Sequence, residues 1–199
     1  MKAISIILIS LLVFGCNTKT DKNEDNQSLE LKKGKLTKFK FSEFQIEKSR
    51  LGPIKIGMSI KDAENQFSGL TRKKDQAINF GFGGGSPAYL YYLNNEIVFG
   101  LIPKLGTDEI LSIITVHPEL KTLNGLNPKS TVKQIFEKYP DMMVYKNLMN
   151  GWEYFNDEEM DWTFVFITNG KNQIGVYPRT EKFSEPKKLA TKSSWLTIK

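Results

Sequence analysis

Cysteine and histidine are almost missing from the 199 residues, which hold one of each, Cys16 and His117. A single cysteine closes no internal disulfide, and one Cys with one His closes no Cys/His metal site. A Ser/His/Asp triad would have to use His117, and the chain contains no Gly-x-Ser-x-Gly elbow to go with it. The apolar run from Ala3 to Phe14 falls short of the about 20 residues that a membrane-spanning helix needs. Burial material is not lacking: 40% of the residues are apolar and 12% aromatic, with 13 Phe, 7 Tyr and 3 Trp, which excludes a disordered chain and predicts a packed core.

Met1-Lys2 forms a short positive start, and the apolar run behind it ends at Gly15-Cys16, so the segment reads as a secretion signal. The boundary Val13-Phe14-Gly15-Cys16 resembles the lipobox of bacterial lipoproteins. That resemblance implies a signal peptide over 1–15, cleavage before Cys16 and acylation of its thiol. With each buried CH₂ contributing about 0.8 kcal/mol, several acyl chains make such an anchor effectively permanent. The other reading of Cys16 is an ordinary buried cysteine after an apolar helix. Asn17, rather than Asp, after the acylated position points to the outer membrane by the sorting rule that comes with the resemblance. Residues 16–38 are poor in large side chains and rich in Asn, Lys, Thr and Asp, and are expected to form a flexible tether.

The formal net charge of +6 is unevenly spread. Residues 17–40 hold seven Lys against four acids, residues 178–199 six Lys/Arg against two acids, and residues 41–177 14 Lys/Arg against 16 acids. A nucleic-acid module concentrates its positive charge on the folded face, so this slightly acidic body excludes nucleic acid as the partner. Residues 179–199 are expected to form a basic C-terminal tail, although Trp195 within it could also belong to a closing strand or a docking tail.

Two segments repeat at an offset of 72 residues: Gly52-Pro-Ile-Lys-Ile-Gly-Met-Ser-Ile-Lys-Asp-Ala-Glu-Asn-Gln-Phe67, and Asn124-Gly-Leu-Asn-Pro-Lys-Ser-Thr-Val-Lys-Gln-Ile-Phe-Glu-Lys-Tyr139. Ser59 and Thr131 stand at equivalent places, each before apolar residues at helical spacing (Ile60, Ala63, Phe67; Val132, Ile135, Tyr139), and both are expected to cap short amphipathic helices. The helices are expected to stop at Ser68-Gly69 and at Pro140. Strand-like runs follow at 78–82, 89–93, 96–99 and 110–116, with Asn94-Asn95 as a tight hairpin turn, and then at 142–145, 151–155, 161–168 and 173–177. In 161–168, Trp162, Phe164 and Phe166 share one face, and Thr163, Val165 and Ile167 the other. Residues 39–46 are a possible first strand.

The expected fold is α+β: two tandem helix-plus-antiparallel-sheet repeats, over 39–122 and 123–178, with about seven to nine strands and two short helices, joined in one sheet or packed sheet to sheet. Through Ile54, Ile56, Gly57, Met58 and Ser59, and through Gly125, Leu126, Ser130 and Thr131, the pattern resembles repeats of bacterial exported proteins. It is similar to the helix–sheet module of the secreted β-lactamase inhibitory protein and of the small lipoprotein of the outer-membrane barrel-assembly machine. Lys129 stands where the second copy should carry a glycine. The resemblance implies a binding or scaffolding module without catalytic residues or cofactor.

Few features carry chemistry. Phe80-Gly-Phe-Gly-Gly-Gly-Ser-Pro87 is glycine-rich but runs into a strand, not a helix start, so it is no phosphate loop; Gly83, Gly84, Gly85 and Ser86 read as a loop between strands that could contact a ligand or partner. The acids of Asp157-Glu-Glu-Met-Asp161 lack the ligand spacing of a calcium hand and read as a hairpin turn. His117, before Pro118, reads as a turn residue. Trp152, Tyr154, Trp162 and Trp195 are candidate interface anchors, with core packing as the competing role. The expectation is a non-enzymatic, lipid-anchored envelope protein that binds an envelope partner; the alternatives are a hydrolase of cell-wall or surface polymers and a small-ligand carrier.

Overall fold

A computed structural model describes residues 38–178 and 181–199. Cys16, the signal segment and the tether up to residue 37 lie outside the described residues. Twelve strands follow in chain order: β1 Ile46–Glu47, β2 Arg50–Leu51, β3 Ile54–Lys55, β4 Thr71–Gln76, β5 Pro87–Leu93, β6 Glu96–Pro103, β7 Ile110–Thr115, β8 Val144–Lys146, β9 Glu153–Asp157, β10 Trp162–Phe166, β11 Phe183–Ser184 and β12 Trp195–Ile198. Helix α1 (Ile60–Glu64) lies between β3 and β4, helix α2 (Val132–Lys138) between β7 and β8, and two 3-10 turns cover Phe41–Glu43 and Ala77–Phe80. The class is α+β with antiparallel sheet predominating.

Both helices begin where side-chain chemistry starts them. The Ser59 hydroxyl accepts the Asp62 N–H at 3.1 Å. Thr131 closes a capping box, its hydroxyl accepting the Gln134 N–H at 3.2 Å while its own N–H donates to Gln134 Oε1 at 2.8 Å. Each helix buries two residues, Ile60 and Ala63 in α1, Val132 and Ile135 in α2. Helix α2 ends ahead of Pro140, whereas α1 stops at Glu64, before the expected Ser68-Gly69, and frees Phe67 to set its ring edge-on to Tyr91 and Phe99 at 4.9 and 5.2 Å.

Nine strands form one antiparallel sheet in the order β11-β8-β9-β10-β12-β7-β6-β5-β4, and β1-β2-β3 form a second, small sheet. Asn94 and Asn95, at φ 49° and 70°, make the expected hairpin between β5 and β6, since a turn with two left-handed residues matches the strands' twist. One face of the large sheet contributes Tyr91, Phe99, Leu101, Ile113, Phe155, Trp162, Phe164, Phe166, Leu196 and Ile198 to a core closed by α1, α2 and the buried Ile46, Leu51 and Ile54 of the small sheet. The other face builds a smaller apolar cluster from Ala88, Leu90, Ile102, Ile114, Val165 and Trp195, covered by the 3-10 turn at Ala77–Phe80.

Three readings of the sequence are corrected, and β4 is a strand that the residues alone did not show. Residues 78–82 are no strand: they hold most of the 3-10 turn and its Gly81 cap at φ 85°. β4 reads Thr-Arg-Lys-Lys-Asp-Gln, an edge strand too polar to show an apolar pattern, which protects the sheet edge with charge. Residues 173–177 contribute no strand, because the Ile174 and Gly175 N–H groups are taken by the Glu153 carboxylate at 2.7 and 2.8 Å. The segment expected as a basic C-terminal tail supplies β11 and, with β12, the middle strand of the sheet, paired to β10 on one side and β7 on the other. All four residues of β12 are buried, as a strand with neighbours on both sides and layers on both faces must be.

Candidate binding groove

The face of the large sheet turned away from the helices carries a groove of about 300 Å³. Strand alternation selects its floor: register pairs Asn156 with Thr163 and Thr163 with Thr197, then Tyr145 with Tyr154, Tyr154 with Val165 and Val165 with Trp195, so these residues share one face. Phe80, Gly81 and Phe82 form one wall, and Asn147 and Lys199 complete the lining.

Aromatic packing fixes that wall. Trp195 is only 4% exposed and holds Phe80 and Trp152 edge-on at 5.5 and 5.4 Å between ring centres. A Cβ on Gly81 would meet the Trp152 ring at 3.4 Å, so the chain passes over that ring closely and in a left-handed conformation that glycine supplies freely. Tyr145 and Tyr154 stand 6.2 Å apart, and Tyr145 also meets the exposed Phe183 at 5.3 Å.

The polar groups of the groove are arranged asymmetrically. Asn147 Oδ1 accepts the Met149 N–H at 2.8 Å, the Tyr154 hydroxyl oxygen accepts from Asn150 Nδ2 at 3.0 Å, Thr197 Oγ1 accepts the Trp195 indole N–H at 3.1 Å, and Asn156 Oδ1 accepts from Thr163 Oγ1 at 2.9 Å. Burial pushes the Tyr154 phenol above the ordinary tyrosine range, more than the Asn150 hydrogen bond lowers it, so it stays protonated at neutral pH. Among the described residues, Lys199 is the one lining residue with a charged side chain, and no Asp or Glu lines the groove.

The sequence-derived candidates distribute unevenly around this groove. Gly83, Gly84 and Gly85 are exposed but do not line it; the lining stops at Phe82. Ser86 is buried, 7% exposed, and its carbonyl accepts the Ala77 N–H, so it closes the base of the loop and offers no contact surface. Trp162, at 3% exposure, lies in the core on the helix-covered side with its indole N–H on the Glu47 carbonyl at 3.2 Å, and Trp195 is the support under Phe80; neither reaches a partner as an interface anchor. Trp152 is half-buried against Trp195, and Tyr154 lines the groove. Tyr145, Asn147, Asn156, Thr197 and Lys199 were not legible as site residues; only the alternation of 161–168 placed Thr163 and Val165 together.

Outside the groove, His117 stacks on Phe41 at 4.4 Å, its Nδ1 accepts the Glu119 N–H at 3.2 Å, and its Nε2 lies 3.4 Å from Glu96. That is a turn lock. In the acidic hairpin, Asp157 accepts the Met160 N–H at 3.0 Å and Asp161 faces Lys48 at 3.8 Å; among the described residues no three His, Cys, Asp or Glu side chains gather as a metal site. Comparison with protein-family models, with curated proteins and with solved structures finds no match for this chain.

Proposed function

We propose that this chain is a non-enzymatic binding protein of the bacterial cell envelope, held on the outer membrane through an acylated Cys16 and contacting a partner protein with the face of the large sheet that the helices leave uncovered. One observation carries the reading: that face bears a groove walled by aromatic rings, where among the described residues Lys199 is the only charged side chain and no Asp/Glu pair stands to drive hydrolysis. The finer fold reading belongs here too. Helix α1 with β4 to β7 and helix α2 with β8 to β10 are two copies of one module, the second extended past residue 178 by β12, and the β7–β12 pair is their seam. In support, the cap residue of each helix makes an isolated antiparallel bridge to chain that flanks its own half, Ser59 to Glu109 and Thr131 to Lys192. A small-ligand carrier is the second reading, favoured by Phe80, Gly81 and Phe82 of the glycine-rich run forming the groove wall.

The test is recovery of the full-length chain from detergent-solubilised native membranes, with mass spectrometry of what accompanies it. The expected result is a stable partner that accompanies the native chain and is lost from a Tyr145→Arg/Asn156→Arg double variant. Absence of any partner above background, or equal recovery with the double variant, overturns the reading of this face as the contact surface. Labelled fatty acid incorporated by the native chain but not by Cys16→Ala is the expected sign of the anchor.

A further inference from the structure

The chain contains three Asn-Gly pairs, Asn124-Gly125, Asn150-Gly151 and Asn169-Gly170. Asn-Gly is the dipeptide most prone to close on itself, because a glycine nitrogen, with no side chain beside it, reaches the asparagine Cγ easily and forms a succinimide. All three asparagines are exposed, so exposure does not choose among them. Hydrogen bonding does. Asn124 is held at both ends of its amide, Oδ1 accepting the Thr122 hydroxyl at 2.6 Å and Nδ2 donating to the Tyr139 hydroxyl oxygen at 3.0 Å, while the Gly125 N–H donates to the Thr122 carbonyl at 3.0 Å. Asn150 is held likewise: Oδ1 accepts the Trp152 N–H at 2.9 Å, Nδ2 donates to the Tyr154 hydroxyl oxygen at 3.0 Å, and the Gly151 N–H donates to the Asn147 carbonyl at 2.8 Å. In both pairs the attacking nitrogen and the leaving amide nitrogen are tied down. At the third pair Oδ1 accepts the Lys171 N–H at 2.9 Å, but among the described residues nothing accepts from Asn169 Nδ2 or from the Gly170 N–H.

The structure assigns Asn169 as a modification site, where the folded chain deamidates through a succinimide. Solvent base takes the Gly170 N–H proton, the nitrogen bonds to Asn169 Cγ, and the Cγ–Nδ2 bond breaks, Nδ2 leaving as ammonia with a proton from water. The Lys171 N–H on Oδ1 stands where negative charge collects in the tetrahedral intermediate, and Lys188, whose Nζ donates to the Lys171 carbonyl at 2.6 Å, adds positive charge beside it. Water then opens the ring at either carbonyl, giving aspartate or isoaspartate. Both products put a carboxylate in place of a neutral amide, and isoaspartate adds a carbon to the main chain just ahead of the Ile174 and Gly175 amides that Glu153 holds.

The experiment is incubation of the full-length chain at mildly alkaline pH, folded and in urea, with peptide mass spectrometry at the three pairs, where each conversion adds about one dalton. In the folded chain Asn169 is expected to convert at least about tenfold faster than Asn124 or Asn150, the scale of one or two hydrogen bonds that must first break, and in urea the three rates should converge. Gly170→Val should slow Asn169 alone, since an added Cβ meets nothing within 4 Å there and the fold is kept, which continued slow conversion at Asn124 and Asn150 would verify. Isoaspartyl methyltransferase with labelled S-adenosylmethionine should methylate the incubated native chain but not Asn169→Ser. Conversion at Asn124 or Asn150 as fast as at Asn169 in the folded chain, an Asn169 that stays intact while the unfolded chain converts, an unchanged rate in Gly170→Val, or equal methylation of Asn169→Ser overturns the assignment.

Discussion

Replacing Glu153 tests how the chain between β10 and β11 is held to the sheet. Glu153 is fully buried on β9, and its carboxylate receives three donors: the Ile174 N–H at 2.7 Å, the Gly175 N–H at 2.8 Å and the Tyr177 hydroxyl at 2.7 Å. Alanine would leave two buried N–H groups and a phenol unsatisfied in a space too tight to relax freely, since a Cβ on Gly175 would already come within 2.8 Å of Ser184. Counting about 1–3 kcal/mol for each orphaned donor and allowing for partial relaxation, Glu153→Ala costs about 4 kcal/mol. For a chain of this size that lowers the melting temperature by about 8–16 °C. Glu153→Gln keeps one acceptor oxygen but turns an NH₂ toward an N–H, at a cost of about 2 kcal/mol, and Tyr177→Phe removes one bond at about 1 kcal/mol. Because Tyr177 has no acceptor left once Glu153 is gone, the double variant Glu153→Ala/Tyr177→Phe should lose less than the two single losses added together. Urea unfolding measures all four chains, and hydrogen exchange at the Ile174 and Gly175 amides should accelerate in the alanine variant. A loss below about 1 kcal/mol in Glu153→Ala, or strict additivity in the double variant, would refute this account.

Three other outcomes are expected. Gly52→Ala should destabilise by about 3 kcal/mol in denaturant titration, since Gly52 sits at φ 54° and an added Cβ would overlap the Glu43 carbonyl and approach Phe44 Cα to 2.9 Å, whereas Gly85→Ala, at φ 79° with open space around it, should cost only about 1 kcal/mol. Burial first, and then the hydrogen bonds they donate to Glu64 and Glu153, raise the pKa values of Tyr91 and Tyr177, so the unfolded chain gives up those protons before the folded one does. Their contribution to stability is therefore complete below about pH 10 and lost as pH climbs further, and melting curves from pH 8 to 11 should fall less steeply in Tyr91→Phe/Tyr177→Phe. Ending the chain at Ser194 removes the middle strand of the sheet and should abolish the cooperative unfolding transition and the near-ultraviolet dichroism, while removing Lys199 alone should leave both intact.

Features set by neighbours in the chain were legible from residues alone. Ser59 and Thr131 cap helices because a hydroxyl reaches an N–H three residues on, Asn94-Asn95 turns because both residues tolerate left-handed φ, and the two faces of Trp162–Phe166 follow from a period of two. Trp195–Ile198 shows the opposite case. Its four residues are too few for a pattern and lie among lysines, and only pairing with Val165 on one side and Thr115 on the other makes them the centre of the sheet. The groove belongs to that second class, because Thr197 lies far along the chain from Asn156 and Thr163 and meets them by strand register.

What the amino-acid sequence determined by itself is therefore the local grammar of this protein: caps, turns, strand faces, and the amount of apolar material to be buried. Only the tertiary structure decided that a strand from the chain's end divides the sheet, that a buried carboxylate on β9 takes the N–H groups of 174 and 175 out of strand pairing, and that residues of β8, β9, β10 and β12 line one groove. The physical reason is range: backbone preference and side-chain capping act over three or four residues, while pairing and burial reward contacts whose partners no local pattern can name.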